Sequence, residues 1–324
     1  MKAISKILLL VLGKGFLISL STLSIVSLMV VATLNLNSVF ASSSNASQQQ
    51  TVDPEITPPQ EDPVLVGAGD IADCDSRGDE ATSRLLDRIP GTVFTTGDNV
   101  YTYGTGAEFK NCYRPSWGRH KSRTKPSVGN HEYKTPRARG YFNYFGAAAG
   151  DPSEGYYSYD LGEWHIIVLN SNCEYVGGCA ANSRMLSWLA NDLATNPKTC
   201  TLAYWHIPVF SSGQYANLKM KPAWDALYAA NADVVLSGHT HNYERFAPQD
   251  PDGVSDPVRG IREFVIGTGG RSHHPFKEIK PNSEIRNANT FGVLKLTLHP
   301  ASYDWEFVPV AGKNFTDSGS QNCI

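Results

Sequence analysis

Seven residues along this chain have the chemistry to hold metal ions, and they recur in five short clusters. The clusters are Gly69-Asp70, Gly97-Asp98-Asn99-Val100-Tyr101, Gly129-Asn130-His131-Glu132, Trp205-His206-Ile207-Pro208 and Gly238-His239-Thr240-His241. Carboxylate, phenolate and amide oxygens suit hard cations, and imidazoles suit zinc, iron and similar metals. The set Asp70, Asp98, Tyr101, Asn130, His206, His239 and His241 exceeds what one tetrahedral or octahedral ion takes up. The count therefore points to two ions sharing a bridging carboxylate. A glycine precedes Asp70, Asp98, Asn130 and His239, where a tight turn must let backbone and ligand approach closely. Any one cluster alone reads as a turn former or helix cap. Their serial repetition makes a site.

Short apolar runs stand before four of the clusters: Val64-Leu65-Val66, Val93-Phe94-Thr95-Thr96, Thr201-Leu202-Ala203-Tyr204 and Asp233-Val234-Val235-Leu236. Each reads as a buried strand. Loops at the carboxyl ends of adjacent strands converge on one crevice, so residues far apart in sequence can share a site. Helical patterns at 79–88, 182–193 and 221–230 alternate with these strands and indicate an α/β core. Beyond residue 260 the helices stop, and 263–266, 292–298 and 303–308 read as strands. These are expected to form a second sheet packed against the first.

With 324 residues and 41% hydrophobic content, the chain suffices for one large domain or two small ones. A formal charge of −3 offers no bulk basic surface, so no nucleic-acid partner is expected. Lys2 and Lys6 precede an apolar stretch over 7–31, and Val39-Phe40-Ala41 resembles a small-residue cleavage site. Residues 1–41 are thus read as a secretory signal. The alternative is an uncleaved membrane anchor, because 16–36 approaches the roughly 20 residues that span a bilayer. Either reading exports the remainder, to a secreted or periplasmic location, with membrane association only if the leader stays attached. Residues 42–62, rich in Ser, Gln and Pro, read as a disordered tether, which leaves 63–324 as the catalytic domain.

Export accounts for six cysteines, since oxidising compartments preserve disulfides. Cys173 and Cys179 flank a short loop of turn residues and form the first pair. Cys74 and Cys112 lie near ligand clusters and can staple two loops, and Cys200 and Cys323 remain by elimination. A thiolate ligand at Cys74 is the alternative, although no second cysteine stands at C-x-x-C spacing.

Three other motifs fail on their own chemistry. Gly67-Ala68-Gly69-Asp70-Ile71-Ala72 matches a dinucleotide fingerprint but would set the Asp70 carboxylate against a pyrophosphate. His239-Thr240-His241 does not open an H-x-H-x-D-H run, because position 243 is Tyr. Gly267-Thr268-Gly269-Gly270 lacks the Lys-Ser/Thr of a phosphate-cradling loop.

The order GD, GDxxY, GNHE, a lone His and GHxH resembles the calcineurin-like metallophosphoesterase superfamily. Tyr101 narrows the resemblance to the purple acid phosphatase branch, especially its compact bacterial members. The runs Gly238-His239-Thr240-His241-Asn242-Tyr243-Glu244-Arg245 and Tyr156-Tyr157-Ser158-Tyr159-Asp160 are similar to that branch too. The resemblance extends from Leu65 to the final strands. It implies two mixed β-sheets packed as a sandwich flanked by helices, an α/β/β/α arrangement with the site at the strand ends. It also implies that one ion takes Asp70, Tyr101 and His241, the other takes Asn130, His206 and His239, and Asp98 bridges them. One ion would be Fe(III) on the Tyr101 phenolate, which would colour the protein, and its partner divalent Fe, Zn or Mn.

Two such cations, roughly 3.5–4 Å apart, would lower the pKa of a water, generate hydroxide and bind the oxygens of a small phosphate ester. The resemblance gives His131 the role of stabilising the transferring phosphoryl group, with Glu132 orienting its imidazole. Related enzymes carry a further histidine in a Ser-Ser-Gly-x-His context, whereas Ser211-Ser212-Gly213-Gln214 leads here to Tyr215. A phenol with a reference pKa of about 10 is a poorer proton shuttle, so activated aryl phosphates are expected to be favoured. His165 lies within a strand and reads as structural, His120 sits among Arg119, Lys121 and Arg123 and reads as a surface residue, and His273 and His274 are candidates for the pocket rim. Arg245 is read as buttressing the GHxH loop through a buried ion pair. The expected function is hydrolysis of phosphate monoesters by a metal-activated hydroxide. A phosphodiesterase or nucleotidase with the same metals is the alternative, and an inactive metal-binding or adhesion module is the competitor from another class.

Overall fold

Strands grow from the apolar runs, and in the computed structural model, which describes residues 61–324, they assemble into two facing sheets. The first half contains β1 (Val64–Ala68), α1 (Gly78–Leu86), β2 (Thr92–Thr96), α2 (Gly106–Glu108), β3 (Thr124–Ser127) and α3 (Arg139–Phe145). Then come β4 (Tyr157–Leu161), β5 (Trp164–Val168), α4 (Arg184–Thr195), β6 (Cys200–Tyr204), α5 (Lys221–Ala229) and β7 (Val234–Ser237). The chain finishes with β8 (Tyr243–Phe246), β9 (Arg262–Ile266), β10 (Ser283–Asn287), β11 (Gly292–His299), β12 (Ser302–Pro309) and β13 (Ser318–Asn322). The expected leader, and the tether before residue 61, lie outside the described residues.

One sheet has six strands in the order β13-β12-β11-β1-β2-β3, and the other has seven in the order β10-β8-β9-β7-β6-β5-β4. Both are mixed. Strands β1, β2 and β3 run parallel, as do β5, β6, β7 and β9, and antiparallel strands are added at the edges. The expected sandwich of two mixed sheets with flanking helices is the architecture observed. The assignment of the late strands is corrected. They do not make a sheet of their own: β11 pairs with β1 and extends the first sheet, whereas β9 pairs with β7 in the second. Apolar periodicity marks a strand but does not choose its neighbour, which long-range packing decides.

Alternation along each strand divides the core into layers. Ile166, Val168, Leu202, Tyr204, Val234 and Leu236 pack toward the first sheet together with Phe94, Leu294 and Phe307. Their neighbours Ile167, Leu169, Ala203, Trp205 and Val235 face α4 and α5, where they meet Met185, Leu189, Trp224 and Leu227. Helix α4 starts where the Ser183 side chain accepts a hydrogen bond from the Leu186 N–H, which satisfies one free amide of the first turn. Burying Leu189 or Leu227 contributes about 1.5–3 kcal/mol each, and truncating either to Ala would cost about 2–5 kcal/mol.

Disulfides join Cys74 to Cys112, Cys173 to Cys179 and Cys200 to Cys323, the pairs expected from the sequence; Cys74 is therefore not a thiolate ligand. The last bond ties the chain end to the start of β6, where Asp233 accepts hydrogen bonds from both Thr201 N–H and Ile324 N–H. No helix among the described residues is long and apolar enough to cross a membrane.

Candidate metal centre

The parallel strands of both sheets end on the same edge, and the ligand clusters occupy the loops that follow. Asp70, Asp98 and Asn130 come after β1, β2 and β3 of the first sheet, and Tyr101 shares the loop of Asp98. His206 follows β6, and His239 and His241 follow β7, in the second sheet. The two sheets meet here directly. Gly69 N–H donates to Ile266 O at 2.8 Å, Gly269 N–H to Gly69 O at 2.8 Å and Arg271 N–H to Asp70 O at 2.9 Å.

Four of the seven residues hold the left-handed backbone conformation: Asp70 (φ 59°), Asp98 (48°), His239 (68°) and His241 (49°). That region disfavours residues with a Cβ by about 1–3 kcal/mol each, and the surrounding hydrogen bonds over-determine it here. The β1–β2 ladder continues through the strained turn, with Asp70 N–H donating to Gly97 O and Ile71 N–H to Asp98 O. Gly97 itself has a φ of 83°, and a Cβ on it would lie 2.7 Å from His206 Nδ1. Glycine is therefore required where the backbone of one sheet passes under a ligand of the other.

The donor atoms fall into two groups on either side of Asp98. In the first, the Tyr101 hydroxyl lies 2.7 Å from Asp70 Oδ1, 2.9 Å from Asp98 Oδ2 and 3.1 Å from His241 Nε2. In the second, His206 Nε2 lies 3.0 Å from Asn130 Oδ1, 3.1 Å from His239 Nδ1 and 3.3 Å from Asp98 Oδ2. The donor atoms of Asp98, His206 and His239 all lie within 4.8 Å of one another. Asp70, Asp98 and His206 are buried completely or nearly so. All seven residues named from the sequence are thus brought to one place.

Protons are too few for this arrangement. His206 Nδ1–H donates to Thr96 O at 2.7 Å, which turns the Nε2 lone pair toward two oxygens and a second imidazole. Tyr101 has a single hydroxyl proton for three acceptors. In the bare protein the shortage shows as shifted acidities. Burial works to lower the His206 pKa, but Asp98 and then Asp70 outweigh it and push it up to about 9. Burial and the His206 charge push His239 down to about 4. Burial alone would raise the Asp98 carboxyl, yet His206, His131 and His239 hold it below the ordinary carboxylate range. Burial, then Asp70 and Asp98, lift the Tyr101 hydroxyl well above its usual value. The carboxylates favour positive charge on His206, whereas burial and that charge disfavour it on His239.

His131 stands at the mouth. Its Nδ1–H donates to Thr102 O at 2.8 Å, and Nε2 lies 3.9 Å from Asp98 Oδ2. The expectation that Glu132 orients this ring is corrected. Glu132 is fully buried and turns away from the imidazole. Its carboxylate accepts from the backbone N–H groups of Gly129 (2.7 Å), Asn99 (2.7 Å), Asp98 (3.1 Å) and Val100 (3.2 Å). It welds the GDNVY turn to the GNHE turn.

A cavity of about 260 Å³ opens over the donors, lined by Asp98, Tyr101, His131, Tyr215, His239 and His241, with Arg271, Ser272 and His274 closing the far side. Tyr215, 42% exposed, sits at the rim with its ring 5.4 Å from that of His239. Its loop is anchored by Glu244, which accepts from Ser212 N–H at 2.8 Å and from Ser211 Oγ at 3.2 Å. Of the two rim candidates, His274 lines the cavity and stacks on His241 at 4.1 Å, while His273 stacks on Phe291 instead. Arg245 forms a buried ion pair, as expected, but with Asp317 (2.7 Å) and Glu284, beside Trp305 and outside the cavity. His165 is structural, bridging Asp160 and Asp192 at 2.8 Å each. His120 is not a free surface residue: its ring is mostly covered and lies 3.1 Å from Asp87.

Sequence reasoning missed Arg271, Ser272 and Lys134. Arg271 lies 5.2 Å over the Tyr101 ring and pairs with Asp73 at 2.6 Å, Ser272 Oγ meets His241 Nδ1 at 2.7 Å, and Lys134 Nζ lies 3.1 Å from His131 Nδ1. Only the glycine run before Arg271 marks that loop in the sequence.

A family model described as calcineurin-like phosphoesterase matches residues 49–243. Purple acid phosphatase 15 of Arabidopsis thaliana is 28% identical over 229 residues, covering 59% of this chain and 42% of that protein. Purple acid phosphatase 21 of the same plant is 27% identical over 283 residues, covering 77% of this chain and 61% of that protein. The chain therefore spans 42% and 61% of these relatives' lengths. Among solved structures, purple acid phosphatase PPD1 from yellow lupin superposes with a TM-score of 0.66 at 17% identity, covering 82% of this chain and 55% of that one.

Proposed function

Because this chain belongs to the calcineurin-like phosphoesterase family, we propose that it is an exported phosphatase that hydrolyses phosphate monoesters at a pair of metal ions. The observation that carries this reading is the surplus of buried lone pairs over protons around Asp98. Carboxylate, phenol and amide oxygens with inward imidazole nitrogens are a donor set that fits metal ions. Asp70, Tyr101 and His241 would hold one ion, Asn130, His206 and His239 the other, and Asp98 would contact both. Bound there, such ions supply Lewis acidity that activates water and neutralises phosphate charge.

The chain's own residues do the rest. His131, fixed by its bond to the Thr102 carbonyl, presents Nε2 to the cavity, where it can donate to a phosphoryl oxygen. Tyr215 lines the cavity at its rim, where its hydroxyl can offer a hydrogen bond to a leaving oxygen. The Thr96 carbonyl and Ser272 hydroxyl each hold one nitrogen of a ligand imidazole, which fixes the other toward the centre. Three disulfides support an oxidising compartment and hence the exported reading of 63–324.

Metal analysis and a visible spectrum of the purified protein, with mono- and bis-p-nitrophenyl phosphate as substrates, test this reading. Two ions per chain, a colour band and preference for the monoester are expected. Asp98→Ala should abolish hydrolysis while circular dichroism stays native. Full activity in that variant would overturn the assignment, and preference for the diester would favour a phosphodiesterase.

A further inference from the structure

Of the described residues that line the cavity of about 260 Å³, Arg271 alone carries a permanent positive charge. Its guanidinium lies 5.2 Å from the centre of the Tyr101 ring, and the His131 ring lies 4.3 Å from the same ring. Two hydrogen-bond donors suited to an oxyanion thus adjoin one proposed ligand. Arg271 Nη1 lies 2.6 Å from Asp73 Oδ2, and 35% of the arginine side chain stays exposed. A guanidinium offers five N–H donors and one carboxylate takes two at most, so part of the fork is left for an anion in the cavity.

The Asp73–Arg271 pair is not needed to join the two loops. Arg271 N–H already donates to Asp70 O at 2.9 Å, and Gly269 N–H to Gly69 O at 2.8 Å. Ser76 Oγ donates to Gly270 O at 2.9 Å and Thr82 Oγ1 to Gly269 O at 2.6 Å. A Cβ on Gly78 would lie 2.2 Å from Gly270 O, so the backbones are in contact as well. What the pair adds is the direction of the guanidinium. Asp73 is built to give it. Its side chain is only 11% exposed, its Oδ1 accepts from Asp75 N–H at 3.0 Å, and the next residue, Cys74, is bonded to Cys112. On the other side Ala72 N–H donates to Asn99 O at 3.1 Å. The carboxylate therefore stands on a fixed loop, with Oδ2 turned to Arg271. Its charge also offsets the repulsion that a cation would meet beside two metal ions.

We propose that Arg271 binds a non-bridging oxygen of the substrate phosphate and selects monoesters over diesters, with Asp73 as its positioning residue. A monoester presents three unesterified oxygens sharing up to two negative charges, whereas a diester presents two sharing one. The additional oxygen and charge are what a guanidinium fork matches. A second ester arm in that place would cover the fork without accepting its hydrogen bonds, and an unpaired donor is costly. The proposal rests on the phosphatase reading above.

The test compares metal-loaded wild type with Arg271→Gln, Arg271→Lys, Asp73→Asn and the double variant D73N/R271Q. Substrates are mono- and bis-p-nitrophenyl phosphate, and the inhibitors are inorganic phosphate and fluoride, a small anion that binds metal ions directly. In Arg271→Gln the KM for the monoester and the inhibition constant for phosphate should rise about tenfold to hundredfold. Diester kcat/KM, fluoride inhibition and metal content should stay at the wild-type level. Arg271→Lys keeps the charge without the fork and should recover part of the phosphate affinity. Asp73→Asn should weaken the monoester less than Arg271→Gln does and add nothing in the double variant, because it acts through Arg271. Equal losses on both esters, or loss of bound metal in Arg271→Gln, would overturn the proposal and leave the phosphatase reading intact. If the wild-type protein hydrolyses neither ester, the phosphatase reading fails, and calorimetric titration with inorganic phosphate judges Arg271 alone. Binding weakened in Arg271→Gln supports the contact, and binding that is unchanged or absent in both proteins refutes it.

Discussion

Tyr101→Phe is the most informative single change, because it removes one oxygen and leaves the rest of the ring to fill its space. That oxygen stands within 3.1 Å of Asp70, Asp98 and His241. In the metal-stripped protein it donates one hydrogen bond to a carboxylate, a bond worth about 1.5–3 kcal/mol. Asp70 and Asp98 keep their other donors, the His239 and His131 N–H groups at 2.7 and 2.8 Å, so the loss should stay near that figure. In the loaded protein the change would remove one of the proposed ligands. Even partners one step removed from a metal change affinity by about 10–100-fold, so at least that loss is expected for the first ion. The second ion, which Asn130, His206 and His239 would hold, should still bind. Burial and two carboxylates keep the hydroxyl protonated in the bare protein. Ferric iron should therefore displace that proton and generate the colour together. Urea denaturation of the stripped protein, ferric titration followed in the visible range and metal counting form the assay. A Phe variant with the wild-type band and both ions bound would refute the ligand role of Tyr101.

Other expectations follow from the same geometry. Glu132→Ala strips the acceptor from four buried N–H groups, each costing about 1–3 kcal/mol, so the urea midpoint should drop steeply and metal affinity with it; a variant with native stability would show that the weld is unnecessary. For His165, burial lowers the pKa, but hydrogen bonds to Asp192 and Asp160 outweigh it and the net shift is upward from 6.5. A raised folded pKa means that the stabilisation is fully present below about pH 6.5 and fades as pH rises through the folded value. The stability gap between wild type and His165→Gln should thus be wider at acid pH than in alkali, and a gap independent of pH would contradict the charged bridge. Removing Cys200–Cys323, which closes a separation of 123 residues, should cost up to about 4–5 kcal/mol by chain entropy, read from the denaturation midpoint under oxidising conditions.

Much of this centre was legible because it lies at strand ends. Val93 to Thr96 is a buried run with nowhere to go but a central strand, and Gly97-Asp98 marks where it stops. Sheet partnership was not legible. Gly292–His299 shows its alternation plainly, yet only packing reveals that it lies against Val64–Ala68 rather than against Arg262–Ile266. Glu132 misled because it neighbours His131 in sequence, while its carboxylate reaches back across about thirty residues to Asp98, Asn99 and Val100, a contact no local pattern encodes. Arg271, Ser272 and His274 reach the cavity because Gly269 N–H bonds to Gly69 O, Arg271 N–H to Asp70 O and His274 N–H to His241 O, long-range contacts that hold their loop against the centre. His120 looked exposed beside three cations, but its aromatic body packs and only its edge meets Asp87.

Four of the proposed ligand residues, Asp70, Asp98, Tyr101 and Asn130, follow strands of one sheet, and three, His206, His239 and His241, follow strands of the other. Any ion bound there would act as a fastener across the seam of the sandwich. Its binding energy would then add to the cohesion of the whole domain, in proportion to the logarithm of free metal over its dissociation constant. Amide hydrogen exchange would register this as slower opening in Val64–Ala68 and Val234–Ser237 together, strands that share no hydrogen bond with one another. Metal supply would set not only whether the protein works but how long it survives proteases, because without the ion that seam would open more often.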